Sequence, residues 1–262
     1  MTRRAPVALT AGTLAMVGGE VLRRVVAQRT RWTRTNFRGR TVQLSAGPAL
    51  AGAAIVAVAG TPGAGGGVLA GSAAAALGLY DDLYGDTHAR GLRGHLIALR
   101  QRRLTTGLVK LAGLALSGFV AGRRHRGRTL PALADAALIA GAANLVNLFD
   151  LRPGRALKVA GVVAVASAPL PGAAGVVASA TAAAAVATLP ADLGEQVMIG
   201  DCGANAVGAL VGWSLATGLG RTGRAAALAG IVALTLASER VSFTGVIERN
   251  SWLRTLDGWG RR

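Results

Sequence analysis

Apolar blocks of roughly fifteen to twenty residues recur along the whole chain, each bounded by charge, proline or glycine clusters, and that is about the length a helix needs to cross a bilayer core. Nine such blocks are read, at about 6–22, 46–60, 66–80, 104–121, 131–148, 157–170, 172–189, 202–218 and 225–239. The blocks 157–170 and 172–189 also read as one hairpin around Pro169 and Pro171, which would give eight. The expected fold class is therefore all-α: a polytopic transmembrane helix bundle, one integral membrane domain over 1–262, with 240–262 as a cytoplasmic tail.

Composition argues the same way. Apolar residues make up 52% of the chain and only 12 of 262 residues are acidic, which is far from the balance of a soluble domain. The apolar content is Ala, Val, Leu and Gly, with few aromatic residues.

A net charge of +17 would suit nucleic acid if it formed a patch, but it is distributed by connecting segment. Residues 23–40 hold seven Lys and Arg, 81–103 hold five, 150–158 hold three and the tail from 240 holds five, so twenty fall on one side and eight on the other. That is the positive-inside asymmetry of a plasma-membrane protein with its amino terminus outside and its carboxy terminus in the cytoplasm. Arg123, Arg124, Arg126 and Arg128 dissent, since they lie on the outer side in this topology. The first block, preceded by Arg3 and Arg4, also reads as a signal peptide. Cys202 is the single cysteine, so no intramolecular disulfide is possible, and nothing in the sequence has the spacing of a zinc site.

Ionisable groups at membrane depth are costly, so those at the ends of the blocks are the functional candidates. Gly78-Leu79-Tyr80-Asp81-Asp82 closes the third block with two adjacent carboxylates, which a polar helix end facing water would also explain. Asn144, Asn147 and Asp150 close the fifth; at about 100° per residue the second and third fall roughly 300° and 240° from the first, on one helix face. Hydrogen-bond glue between helices is the plain alternative there. Gly200-Asp201-Cys202-Gly203-Ala204-Asn205 opens the eighth block, where glycines let a backbone approach a ligand and helix-start N–H groups favour anions. An ordinary Asp cap would look the same. Lys110 lies inside the fourth block, as a phosphate counter-charge or a snorkelling lysine.

All these acids fall on the expected cytoplasmic side. Hard oxygen ligands suit Mg²⁺, which bridges to substrate phosphates, so the chemistry indicated is phosphoryl transfer between a soluble diphosphate and a lipid.

The ordered series Asp81-Asp82, Asn144-x-x-Asn147-x-x-Asp150 and Gly200-Asp201-x-Gly203, with Asn36-Phe37-Arg38-Gly39-Arg40 before the second block and Lys110 in the fourth, resembles a known family. It is similar to the polyprenyl-phosphate N-acetylhexosamine-1-phosphate transferases, which include the phospho-N-acetylmuramoyl-pentapeptide transferases of peptidoglycan synthesis. The resemblance implies an Mg²⁺-dependent membrane enzyme whose partners are a polyprenyl phosphate and a UDP-sugar, with UMP released. It implies Asp201, Asp81 and Asp82 as catalytic and metal-binding residues. Asn144, Asn147, Asp150, Lys110, Gly203 and Asn205 would be on the substrate side.

Two features depart from the family pattern. Pro153 stands in Asp150-Leu151-Arg152-Pro153-Gly154 where a second acid is expected, and residues 240–262 contain none of the histidines that contact donor phosphates in the family. Arg249, Arg254 or His95 could take over that contact. The alternative is a relative that binds polyprenyl phosphate or assists cell-envelope assembly without transfer. A transporter would show paired repeats with interrupted helices, and no convincing repeat is present. Asp135, inside the fifth block, is expected to face a neighbouring helix and to serve stability.

Overall fold

A computed structural model describes residues 3–85, 100–101 and 105–261. Asp86, His95 and the rest of the basic loop around them lie outside the described residues. Each of the nine apolar blocks is a helix: α1 Arg4–Val25, α2 Ala46–Val58, α3 Gly65–Tyr84, α4 Thr106–Arg126, α5 Thr129–Phe149, α6 Arg155–Ser167, α7 Gly172–Leu193, α8 Gly200–Gly218 and α9 Arg221–Ser238. Two short helices follow, α10 Phe243–Arg249 and α11 Ser251–Gly258. Between α1 and α2 sits an antiparallel hairpin of β1 Thr33–Thr35 and β2 Thr41–Gln43, turned at Asn36–Arg40.

Among the described residues three helices qualify as membrane spans on length and composition: α1, α5 and α7, with mean hydropathies of 1.4, 1.6 and 1.6. The pair α9–α10, bent by 90°, qualifies if taken together. Helices α2 and α6 have 13 residues each, about 20 Å at the helical rise and shorter than a hydrocarbon core of about 30 Å. The blocks 157–170 and 172–189 are two helices packed on each other, broken at Pro169–Pro171.

Helix α8 is the axis of the bundle. It buries residues on every side and packs against α2, α3, α5, α6 and α7. Small residues permit this: a Cβ on Gly78 would lie 2.7 Å from the Cys202 Cα, and one on Gly208 would lie 2.6 Å from the Ala143 Cα. Helix α4 fills the gap between α3 and α5, α1 lies on α7 and α2, and α9 packs mainly on α5.

Successive helices reverse direction, so each end of the bundle gathers a defined set of termini. At one end Arg4 of α1 donates to the Leu170 carbonyl (2.6 Å) and Arg126 of α4 to Ala216 of α8 (2.6 Å). There Asp135, 1% exposed, pairs with Arg126 (2.9 Å) and Arg224 (3.3 Å), as expected of an acid facing neighbouring helices. Arg123, Arg124 and Arg126 are therefore not in a free loop: α4 runs through them and stops at Gly127, whose φ of 68° is left-handed. The other end collects the carboxy ends of α3, α5 and α7 and the amino ends of α4, α6 and α8, with the β-hairpin laid over them.

Candidate active site

The acidic motifs meet at that second end. Helix α3 extends past position 80 to Tyr84, so Asp81 and Asp82 occupy its last turn and point different ways. The Lys110 ammonium, on the second turn of α4, donates to Asp81 Oδ2 (2.7 Å) and to Asp201 Oδ2 on the first turn of α8. Asp82 instead caps α8: its two oxygens accept the N–H groups of Asp201 (3.0 Å) and Cys202 (2.9 Å). A carboxylate on the N–H groups of a helix start is favoured by the helix dipole and satisfies donors that otherwise lack partners.

Gly200 makes this possible. Its φ is +56°, and a Cβ there would come within 2.8 Å of both Asp82 oxygens and of Leu44. Asp150, just past the end of α5, lies against the Gly200 N–H and close enough to Asp192, Asp201 and Asp82 to feel their charges. Four acids from three motifs separated widely in sequence thus share one end of the bundle.

Beside them a cleft of about 200 Å³ opens, lined by residues that include Asn36, Phe37, Asp150, Arg152, Pro153, Asp192 and Glu195. Arg152 stacks on Phe37 at 4.3 Å, a cation–π contact at the cleft wall. Arg34 donates to the Asp82 carbonyl, which ties the hairpin to the end of α3. The hairpin is also bound to the α7–α8 connection, through Met198 N–H to the Gln43 carbonyl (2.8 Å).

Asp192 and Glu195 were not singled out by the motifs. Asp192, 4% exposed, accepts the Gly154 N–H at 2.7 Å. Glu195 accepts from Asn36 Nδ2 at 2.5 Å and pairs with Arg38 at 2.7 Å, and its φ of 54° is the one left-handed non-glycine conformation among the described residues. The signal for both was present: two acids closing an apolar block in Leu189-Pro190-Ala191-Asp192-Leu193-Gly194-Glu195.

Other motif residues are placed differently. Gly203 faces Gly47, where a Cβ would lie 2.9 Å from the Gly47 Cα, so it serves the crossing of α2 and α8. Asn205 is 1% exposed and donates back to the Asp201 carbonyl (2.7 Å), while its Oδ1 is buried without a partner. Asn144 and Asn147 are partly buried on the last turns of α5, and among the described residues neither makes a side-chain hydrogen bond.

Among the described residues no three Asp, Glu, His or Cys side chains form a group that could hold a metal by themselves. Asp81 and Asp201 nevertheless offer a pair of carboxylates, here bridged by an ammonium. Mg²⁺ takes one or two carboxylates and completes its octahedron with waters and phosphate oxygens, so the donor chemistry fits.

The tail closes over the amino end of α6. Arg155, 3% exposed, makes a bidentate pair with Asp257 (2.7 and 2.8 Å) and donates to Thr244 (2.8 Å). Arg261 also reaches Asp257 and donates to the Pro153 carbonyl at 2.8 Å. Burial pushes the Asp257 carboxyl up, but the hydrogen bonds from Arg155 and Arg261 outweigh it and hold the group down at about 2. No protein-family model matches the sequence, and no curated protein matches it significantly.

Proposed function

We propose that the chain is a polytopic enzyme of the plasma membrane that transfers a sugar-1-phosphate from a UDP-sugar, of the UDP-N-acetylhexosamine class, to a polyprenyl phosphate. An oxygen of the lipid phosphate bonds to the sugar-bearing phosphorus, the diphosphate bridge breaks, and UMP leaves. The observation that carries this reading is the Lys110 ammonium shared between Asp81 and Asp201, beside Asp82 on the α8 N–H groups. Such an arrangement concentrates both signs of charge at one helix-bundle end, as chemistry on a diphosphate requires.

Mg²⁺, when bound, would offset the diphosphate charge, with Asp81 and Asp201 as its protein oxygens and Asp82 holding the α8 start in place. Lys110, between the same two carboxylates, would neutralise phosphate charge. Arg34, Arg38 and Arg152 give the approach to the cleft a cationic edge that draws in an anionic donor.

Nine crossings, the amino terminus outside and the acidic end in the cytoplasm make up the topology that goes with this reading. It is supported by the alternation of the nine helices and by the charge asymmetry of the sequence, twenty Lys and Arg in the connecting segments of one side against eight in those of the other. The short α2 is largely buried among other helices, where its length need not match the bilayer. The test is release of UMP by the purified chain given UDP-N-acetylhexosamine, polyprenyl phosphate and Mg²⁺. Activity that EDTA leaves untouched, or none with any UDP-sugar, counts against the proposal.

A second reading is a relative that retains polyprenyl-phosphate binding and has given up transfer. Pro153 favours it, because it lines the cleft beside Asp150 and Asp192 where the resembled family has an acid. Activity appearing only in Pro153→Asp would support it.

A further inference from the structure

Helix α9 buries none of its residues, and Val232, Leu234 and Leu236 are exposed along it. The chain then turns by 90° into α10. A segment that leaves an exposed apolar column at a right angle runs parallel to the plane on which the column ends.

Helix α11 follows, and it is two-faced. On a helical wheel Trp252 and Leu256 lie about 40° apart, while Asp257 is about 140° from Trp252. The Asp257 side is bound to the bundle through Arg155, and Lys158 takes the carbonyls of Leu256 (3.1 Å), Asp257 (2.8 Å) and Trp259 (2.6 Å). The other side presents Trp252 (68% exposed), Leu256 (48%) and Trp259 (74%). Elsewhere the chain is poor in aromatic residues, with four Trp in all, so two exposed on one eight-residue helix and its cap are concentrated. Arg240 and Arg249, both exposed, bracket α10.

We propose that α10–α11 is an interfacial anchor: Trp252, Leu256 and Trp259 enter the headgroup layer of an anionic phospholipid bilayer, with Arg240 and Arg249 against its phosphates. Tryptophan suits that layer because its body is apolar and its N–H needs a polar partner, and arginine matches the lipid charge. The proposal rests on the membrane reading above and not on transferase activity.

The test uses the full chain reconstituted in phosphatidylcholine–phosphatidylglycerol vesicles, with emission from Trp252 and Trp259 isolated by subtracting the double variant W252F/W259F. Brominated phospholipid should remove about half or more of that emission, and aqueous acrylamide should quench it weakly. Strong acrylamide quenching without a lipid effect overturns the anchor, because the face is then in water. Resistance to both overturns it too, because the face is then covered by protein. A chain stripped from vesicles by alkaline carbonate sinks the membrane reading as well, whereas one that stays with water-quenched tryptophans sinks the anchor alone.

Discussion

Lys110 Nζ donates to Asp81 Oδ2 at 2.7 Å across 29 residues of sequence, and the same ammonium reaches Asp201, 91 residues further on. One cation therefore holds two carboxylates from α3 and α8, and each group depends on the others being charged. In Lys110→Met the two acids face each other without compensation. Since all three side chains keep some exposure, the expected loss is about 2 kcal/mol, below the usual range for breaking a fully buried pair. Adding Asp81→Asn to that variant should recover about half of it, as the repulsion is removed. Denaturant unfolding in detergent checks this; strictly additive losses would mean that Lys110 and Asp81 are not coupled.

Asp135 provides the contrast at the opposite end of the bundle. It is almost fully buried between Arg126 and Arg224, whose own side chains are partly exposed. Asp135→Asn should cost about 3 kcal/mol of stability, the lower end of the range for breaking a buried pair, and leave turnover per folded molecule unchanged. A kinetic defect in folded protein would place this triad in the chemistry.

The tail should respond to acid. Asp257 has its folded value lowered from 3.8 to about 2, so its contribution to docking is full above pH 4 and is lost as pH falls through about 2. Tryptophan anisotropy from the tail should accordingly fall between about pH 4 and pH 2, and Asp257→Asn should show low anisotropy already at neutral pH. An unchanged profile in the variant would mean that Arg155 does not hold the tail.

Much of this was legible in the sequence, and the limits have physical causes. Apolar blocks mark helices because burial favours them whatever surrounds them, so all nine appear, with α3 and α4 running several residues longer than their apolar parts. The extension through Arg126 depends on Asp135 and the Ala216 carbonyl, a pairing that no local pattern announces. Asp81, Asp82, Asp150 and Asp201 were marked as acids at block ends, and they do meet. Their division of labour was not readable: Asp82 caps a helix 119 residues away, which depends on the left-handed backbone of Gly200. Glu195 was hidden for a similar reason, since its partner Asn36 is 159 residues distant. Gly203 and Asn205 were read as facing a ligand, whereas the first packs against Gly47 and the second bonds its own helix.

The proposed topology rests on the charge distribution of the sequence. A reporter fused after Arg262 should read cytoplasmic, as should a cysteine introduced at Arg90. Labelling of both from outside the cell would put the acidic end away from the nucleotide pool and remove the transferase proposal with it.

The central claim is that the acids gathered around Lys110 carry sugar-phosphate transfer. The most direct measurement is UMP release against lipid-linked sugar formation, by purified wild type and by Asp201→Asn at matched amounts of folded protein, with UDP-N-acetylhexosamine, polyprenyl phosphate and Mg²⁺. Wild type is expected to form the two products one to one and to stop on addition of EDTA, and Asp201→Asn to be slower by a factor of about 100 or more. Equal rates in the two proteins, or no product from wild type across a panel of UDP-sugars, would contradict the account.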